Sequence, residues 1–282
     1  MLEPALYIAA TPIGNLQDVT LRVRATLQEA TLIAAEDTRH SRIFLDSIGV
    51  SGTRMISCHD YNEAQRADLI AAEIAKGGSV VLISDAGTPL ISDPGFKLVR
   101  ELCARGIKVT ALPGPCAAIT ALCLSGLPTD KFYFYGFLPV KDKELREVLT
   151  TFSDSEATTV FYESPRRIAH TLELMAQLYP KREAVLCREL TKTFESVYRG
   201  TVSALQAQLL VDENMQRGEL VLLLAPAPKE HEVAIPPKAR AALEAMLKEG
   251  MSVKGASRVL SELLNLKSKA LYQLGLELKG QA

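Results

Sequence analysis

This 282-residue chain has no dominant charge: 32 Lys and Arg stand against 33 Asp and Glu, for a net charge of −1. No whole-protein basic field therefore announces a nucleic-acid partner. It has no apolar run of the ~18 residues needed to cross a bilayer. No basic leader pattern opens it either; Glu3 stands where one would begin. Its five cysteines, Cys58, Cys103, Cys116, Cys123 and Cys187, are odd in number and none is spaced C-x-x-C. Most lie in apolar segments, which fits buried free thiols and a reducing, cytoplasmic location. The histidines His40, His59, His170 and His231 do not cluster with them, so ligand spacing argues against a metal site. No G-x-G-x-x-G opens a helix, no Gly-Lys-Ser/Thr P-loop occurs, and no G-x-S-x-G elbow is present. The usual pyrophosphate cradles and the serine-hydrolase arrangement are thereby excluded.

What is present is organised around SDAGTPLISDPG, Ser84 to Gly95. It follows the apolar run Val80–Ile83, which reads as a buried parallel strand. It precedes an amphipathic helix in which Asp93 takes the N-cap position, Pro94 the first helical position, and Gly106 stops the chain. The loop thus leaves the carboxyl end of a strand, where open α/β sheets bind ligands. Gly, Pro and Asp also dominate ordinary βα connections, so loop chemistry alone leaves both readings open.

Further strands are expected at Ala5–Ala10, Thr31–Ala35, Met55–Cys58 and Ile107–Leu112, alternating with helices. This pattern predicts an α/β fold with a mostly parallel sheet. After Pro113-Gly114-Pro115 the pattern changes: an aromatic strand Lys131–Phe137, strands at Thr158–Glu163 and Glu183–Cys187, an antiparallel edge near Phe194–Gly200, and a last strand Glu219–Ala225. A mixed sheet is expected there, with the aromatic run packed in the core. The predicted organisation is an N-terminal α/β domain over 1–113, a C-terminal α/β domain over 114–226, and a helical appendage over 238–282 after a stiff Pro-rich linker. From Lys238 onward eight Lys and Arg face four Glu, a basic tail on an acidic body. Three helix patterns there suggest a helix-turn-helix-like bundle built on Val253, Val259, Leu260, Leu263, Leu271 and Leu274, with Asn265–Ser268 as a turn. A capping or dimer-contact bundle and a nucleic-acid module are both consistent with it.

As a set the loops resemble the tetrapyrrole-methylase superfamily. The strings are Thr11-Pro12-Ile13-Gly14-Asn15-Leu16, Ala35-Glu36-Asp37-Thr38-Arg39, SDAGTPLISDPG, Leu112-Pro113-Gly114-Pro115 and Arg188-Glu189-Leu190-Thr191-Lys192. They match the branch of that superfamily that methylates a cytidine 2'-hydroxyl in 16S rRNA of the small ribosomal subunit. The resemblance implies two α/β domains with a cleft between them, a homodimer, and S-adenosylmethionine as methyl donor. It places Ile13, Gly14, Asp85, Thr88, Ala117, Ala118, Phe161 and Gly218 around that cofactor. Glu36 or Asp37 is expected as a base at a strand tip, with Arg39 holding a phosphate; a structural ion-pair cluster is the competing reading. Arg166, Arg167, Arg188 and Lys192 are candidates for the RNA backbone. Tetrapyrrole enzymes carry Asp where this chain has Asn15, which argues against a porphyrin-like substrate. A small-molecule methyltransferase and a non-enzymatic nucleic-acid-binding regulator are the alternatives.

Overall fold

The computed structural model describes residues 2–228, 235–264, 266 and 268–280. Its first 112 residues alternate β1 (Leu6–Ala9), α1 (Leu21–Glu29), β2 (Leu32–Ala35), α2 (Thr38–Ser47), β3 (Arg54–Ser57), α3 (Glu63–Ala75), β4 (Val80–Ile83), α4 (Phe96–Ala104) and β5 (Val109–Leu112). All four residues of β4 are buried, as are those of β2. Such strands need neighbours on both edges and helices on both faces. They have them: the sheet is parallel throughout, in the order β3-β2-β4-β1-β5. Val23, Leu27 and Leu45 of α1 and α2 pack on one face. Ala67, Ile70, Leu98 and Leu102 of α3 and α4 pack on the other. This order brings the carboxyl ends of β2, β4 and β1 side by side, so the loops beginning at Glu36, Ser84 and Ala10 emerge together.

The helix starts show how each loop is held. Thr20 caps α1, its hydroxyl accepting from the Val23 N–H at 3.1 Å. Asp37 caps α2, with Oδ1 accepting from the Arg39 N–H at 2.8 Å. The expected cap of α4 is different in the structure. Gly95, at φ 124°, holds the N-cap position, and Asp93 does not cap. The buried carboxylate of Glu63, at the start of α3, accepts instead from the N–H groups of Gly95 at 3.0 Å and Leu98 at 3.1 Å. Two backbone donors at the start of α4 are therefore satisfied from another helix.

The chain continues through α5 (Ala117–Ser125), β6 (Phe132–Phe137), α6 (Asp142–Thr151), β7 (Thr158–Glu163), α7 (Ile168–Leu178), β8 (Glu183–Arg188), β9 (Ser196–Thr201), α8 (Val202–Leu209) and β10 (Leu220–Leu224). These strands form a mixed sheet ordered β6-β7-β10-β8-β9, with only β6 and β7 parallel. One face carries Phe161, Leu186 and Leu222 against α6, α7 and α8. The other carries Val160, Val185, Cys187 and Leu223 against α5. Buried Arg182 ties this part together, its guanidinium donating to the carbonyls of Phe152, Ser153, Ser155 and Ala225.

The aromatic strand departs from expectation. β6 is an edge strand, so Phe132, Tyr133 and Phe137 are exposed, and a bulge between Phe134 and Gly136 breaks the alternation. Cys103 and Cys123 are also exposed, on the outer faces of α4 and α5, while Cys58 and Cys187 are buried and all five thiols are free.

The chain divides into two compact units, Met1–Ala227 and Pro228–Ala282. The second holds α9 (Pro237–Lys248), α10 (Val253–Leu264) and α11 (Ser268–Gly280) around Leu243, Ala256, Leu260 and Leu271. Leu263, expected in this core, is exposed because it lies on the outer face of α10. Part of the expected linker, residues 229–234, and part of the turn, at 265 and 267, lie outside the described residues. No described helix is long and apolar enough to cross a membrane.

Candidate active site

A cleft of about 430 Å³ opens within the first unit, at the carboxyl ends of β2 and β4 and beside β7, β10 and the start of α5. That volume suits a cofactor-sized ligand. Five carboxylates line it: Glu36, Asp85, Asp93, Glu163 and Glu219. Among the described residues, no Lys, Arg or His lines it. Two of the five are paired with a cation from behind. Glu163 is buried and paired with Arg167 at 2.6 Å, and also accepts from Thr171. Glu219 is paired with Lys192 at 3.0 Å. The remaining three leave the cleft with a net negative field.

Glu36 and Asp85 brace each other's loops. The Glu36 carboxylate accepts from the Asp85 N–H, and Asp85 Oδ1 accepts from the Asp37 N–H at 3.2 Å. Burial, and then the charges of Asp85, Asp60 and Asp37, hold the Glu36 carboxyl above the usual range. Among the described residues Asp93 has no such backbone partner, and it hydrogen-bonds the Ser84 side chain. Burial pushes its carboxyl up to about 6, assisted by Glu36 and Asp85 and opposed by the Ser84 hydrogen bond. It sits in strained backbone, with Leu90 at φ 74° and Ser92 at φ 68°. For non-glycine residues such values are costly and are held by the surroundings.

The expected site residues fall into two groups. Ile13, Asp85, Thr88, Ala117 and Gly218 line the cleft, as does Glu36. The Thr88 hydroxyl donates to the Pro115 carbonyl at 2.8 Å, so its oxygen is left to accept from a ligand. Gly218, at φ 77°, leaves no room for a β-carbon against the Glu189 side chain. Gly14 is not part of the lining. Its absent side chain permits a close approach instead: a β-carbon would lie 2.5 Å from Lys192 Cγ and 2.9 Å from the Leu190 carbonyl. Asn15 joins the same contact, its N–H donating to the Thr191 hydroxyl at 3.1 Å while its side chain caps the next turn at Gln17.

Other expectations are corrected. Phe161 is fully buried among Tyr135, Phe152 and the helices α6 to α8, on the face of β7 away from the cleft. Strand alternation puts Tyr162 on the cleft side. Ala118 is buried, and its N–H donates to the Tyr162 hydroxyl at 3.2 Å, so it is not free for a ligand. Asp37 lies outside the lining. Both its oxygens face Arg39, at 3.2 Å and 2.9 Å, and those bonds hold its carboxyl down at about 2. A carboxylate so stabilised is a poor proton acceptor. Arg39 is correspondingly committed to Asp37, although its side chain is exposed.

Of the four basic candidates, three have internal partners. Arg167 donates to the Leu138 carbonyl and pairs with Glu163. Arg188 donates to the carbonyls of Arg217 and Phe194. Lys192 bridges Glu189 and Glu219. Arg166 is exposed and its guanidinium has no partner among the described residues. Sequence reasoning missed Asp93, Tyr162, Glu163 and Glu219 as cleft residues. The period of β7 was a usable signal for Tyr162; nothing local signalled that Glu63 would displace Asp93 from its cap.

Residues 5–206 match the family model of Tetrapyrrole (Corrin/Porphyrin) Methylases, and residues 233–279 match that of the RsmI C-terminal HTH domain. The chain is 47% identical over 277 residues to the ribosomal RNA small subunit methyltransferase I of Haemophilus influenzae, covering 98% of this chain and 97% of that one. It is 45% identical over 276 residues to the protein of that name from Escherichia coli O157:H7, covering 98% and 96%. Among solved structures, the methyltransferase CobJ superposes with a TM-score of 0.59 at 21% identity, over 79% of this chain and 94% of that one. The uroporphyrin-III C-methyltransferase of Thermus thermophilus complexed with S-adenosylhomocysteine superposes with a TM-score of 0.54 at 17% identity, over 79% and 98%. At these identities the superpositions speak for the fold.

Proposed function

Because the chain belongs to the tetrapyrrole methylase family, in its ribosomal RNA small subunit methyltransferase I branch, we propose that its acidic cleft serves methyl transfer to a ribose 2'-hydroxyl of a cytidine in 16S rRNA. The protein is an S-adenosylmethionine-dependent rRNA methyltransferase. The full-length similarity, tail included, carries this reading over a small-molecule methyltransferase or a regulator without activity.

The residues of the cleft fit the cofactor by charge. S-adenosylmethionine bears a sulfonium and an ammonium against one carboxylate, a net +1, and the three unneutralised carboxylates complement it. When bound, it supplies the methyl group already activated by positive sulfur. Asp85 and the accepting oxygen of Thr88 hold its methionine end, Ile13, Ala117 and Gly218 shape the walls, and Tyr162 supplies the aromatic side expected of Phe161. Glu36 and Asp85, by bracing each other's loops, keep this frame rigid before the acceptor arrives. Such orientation is worth on the order of 7–11 kcal/mol of the barrier.

RNA meets the opposite electrostatics. Its phosphates are repelled by the cleft, so the ribose enters while the backbone stays outside on exposed cations such as Arg166. The target nucleotide must therefore be single-stranded or flipped. We assign residues 1–113 and 114–226 to the two lobes and 238–282 to the appendage, with the protein working as a cytoplasmic homodimer. Labelled S-adenosylmethionine offered with small ribosomal subunits, with bare 16S rRNA and without RNA tests the reading. Label must enter RNA in at least one of the first two reactions and not accumulate in the third; label in RNA from neither overturns it.

A further inference from the structure

We propose that Asp93 is the residue that takes the proton from the acceptor hydroxyl during methyl transfer. The inference rests on the methyltransferase reading and adds to it the group that carries the proton.

Three carboxylates face the cleft without a cation, and two of them are already in use. Glu36 accepts from the Asp85 N–H, and Asp85 accepts from the Asp37 N–H. Each therefore holds a loop, and protonating either would release it. Among the described residues Asp93 braces no backbone N–H, and its hydrogen bond is to the Ser84 side chain. The residue follows a strained Ser92 and precedes Pro94 at the usual start of a helix, where an aspartate ordinarily caps. Here Glu63 reaches across from α3 and accepts from two N–H groups at the start of α4, those of Gly95 and Leu98. The cap is duplicated in kind and vacated by Asp93, whose side chain lines the cleft instead.

The groups around it favour a basic carboxylate. Glu36 at the end of β2 and Asp85 in its own loop repel a second negative charge; Tyr162 of β7 faces it, with Cys116 at the start of α5 beyond. Among the described residues, no lining cation offsets them. A carboxyl titrating near 6 is about a hundredfold more basic than an ordinary aspartate and is still mostly ionised at neutral pH. That is the compromise general-base catalysis favours.

In the step itself, the ribose oxygen forms its bond to the methyl carbon and the carbon–sulfur bond breaks. Its electron pair goes to sulfur, which becomes the neutral thioether of S-adenosylhomocysteine. The hydroxyl proton passes to an Asp93 carboxylate oxygen and from there to solvent.

Single-turnover methylation of small ribosomal subunits by the full-length protein from pH 5 to 8.5, for the wild type and Asp93→Asn, tests this. Titration calorimetry of S-adenosylhomocysteine binding accompanies it. The expected result is an acid limb in the wild type centred at or below about 6, absent in Asp93→Asn. The variant loses about 10²–10⁴-fold in rate and binds S-adenosylhomocysteine within about three-fold of the wild type. A variant rate within about three-fold of wild type, or an unchanged limb, overturns the proposal. So does a loss of S-adenosylhomocysteine affinity matching the loss of rate, which makes Asp93 a cofactor anchor. Should Asp93→Asn fail to fold, Asp93→Glu decides: a slowed reaction that keeps its acid limb supports the assignment, and a pH-independent one overturns it. A wild-type protein that methylates neither subunits nor bare rRNA defeats the underlying reading as well.

Discussion

The loops after β2 and β4 leave neighbouring parallel strands, each carries an aspartate at the threshold of a helix, and the two aspartates end in opposite chemical states. Asp37 caps α2, is gripped by Arg39, and titrates at about 2. Asp93 is relieved of capping by Glu63, and burial, with Glu36 and Asp85 beside it, pushes its carboxyl up to about 6. A carboxylate that satisfies orphan N–H groups is stabilised as an anion and removed from proton chemistry. One that has been relieved of that task, in an acidic and partly dry cleft, becomes available for it. The difference of about four pH units arises from the Arg39 side chain and backbone N–H that hold Asp37 down and from the burial that lifts Asp93.

The largest break in this comparison is kinetic. Asp93→Asn slows methyl transfer by about 10²–10⁴-fold, whereas Asp37→Asn leaves the single-turnover rate within about three-fold once stability is allowed for. Equal losses would erase the distinction. Next is the cap itself. Glu63→Ala strands two buried N–H groups and costs about 2–3 kcal/mol in urea denaturation. It also invites Asp93 back to the helix start, so catalysis falls further than the same loss of stability elsewhere would cause.

Stability against pH sharpens the contrast, because the two shifts have opposite signs. The folded pKa of Asp93 is raised, so the native state is penalised as pH rises from 4 through 6. Asp93→Asn removes a penalty of about 1–2 kcal/mol above that window, allowing for partial exposure, and changes nothing below it. Asp37 is lowered, so it stabilises above the ordinary carboxyl pKa and that contribution is lost as pH falls toward 2. Thermal melts of Asp93→Asn and Asp37→Asn at pH 8 should therefore shift in opposite directions. The smallest effect is at the rim: Arg166→Ala reduces the salt slope of RNA binding by about one and leaves S-adenosylhomocysteine affinity unchanged.

Much of the architecture was legible because burial on both faces leaves a plain mark. Val80–Ile83 and Thr31–Ala35 read as buried strands from local pattern alone. The loops of the cleft followed from their positions at strand ends. What was hidden depends on contacts distant in sequence. Glu63 and Gly95 are 32 residues apart, so nothing near Asp93 disclosed that its cap was already filled. The side of the sheet that Phe161 faces depends on the phase of β7, whose alternation was a signal that pointed to Tyr162 and went unused. Phe132 and Tyr133 looked like core residues because the sequence does not state that β6 is an edge. Arg167, Arg188 and Lys192 looked available for RNA because their carboxylate and carbonyl partners lie on other elements or across a turn.

The charge of the cleft can be measured without any RNA. S-adenosylmethionine and S-adenosylhomocysteine differ by a methyl group and one positive charge, so the ratio of their affinities reports the field at the sulfur. Calorimetric titration of both from pH 5 to 8 should show the preference for the charged compound growing as Asp93 ionises through about 6, and flattening in Asp93→Asn. A ratio that is independent of pH in the wild type, or a preference for the neutral compound that strengthens as pH rises, would contradict the acidic cleft and the assignment of Asp93 together.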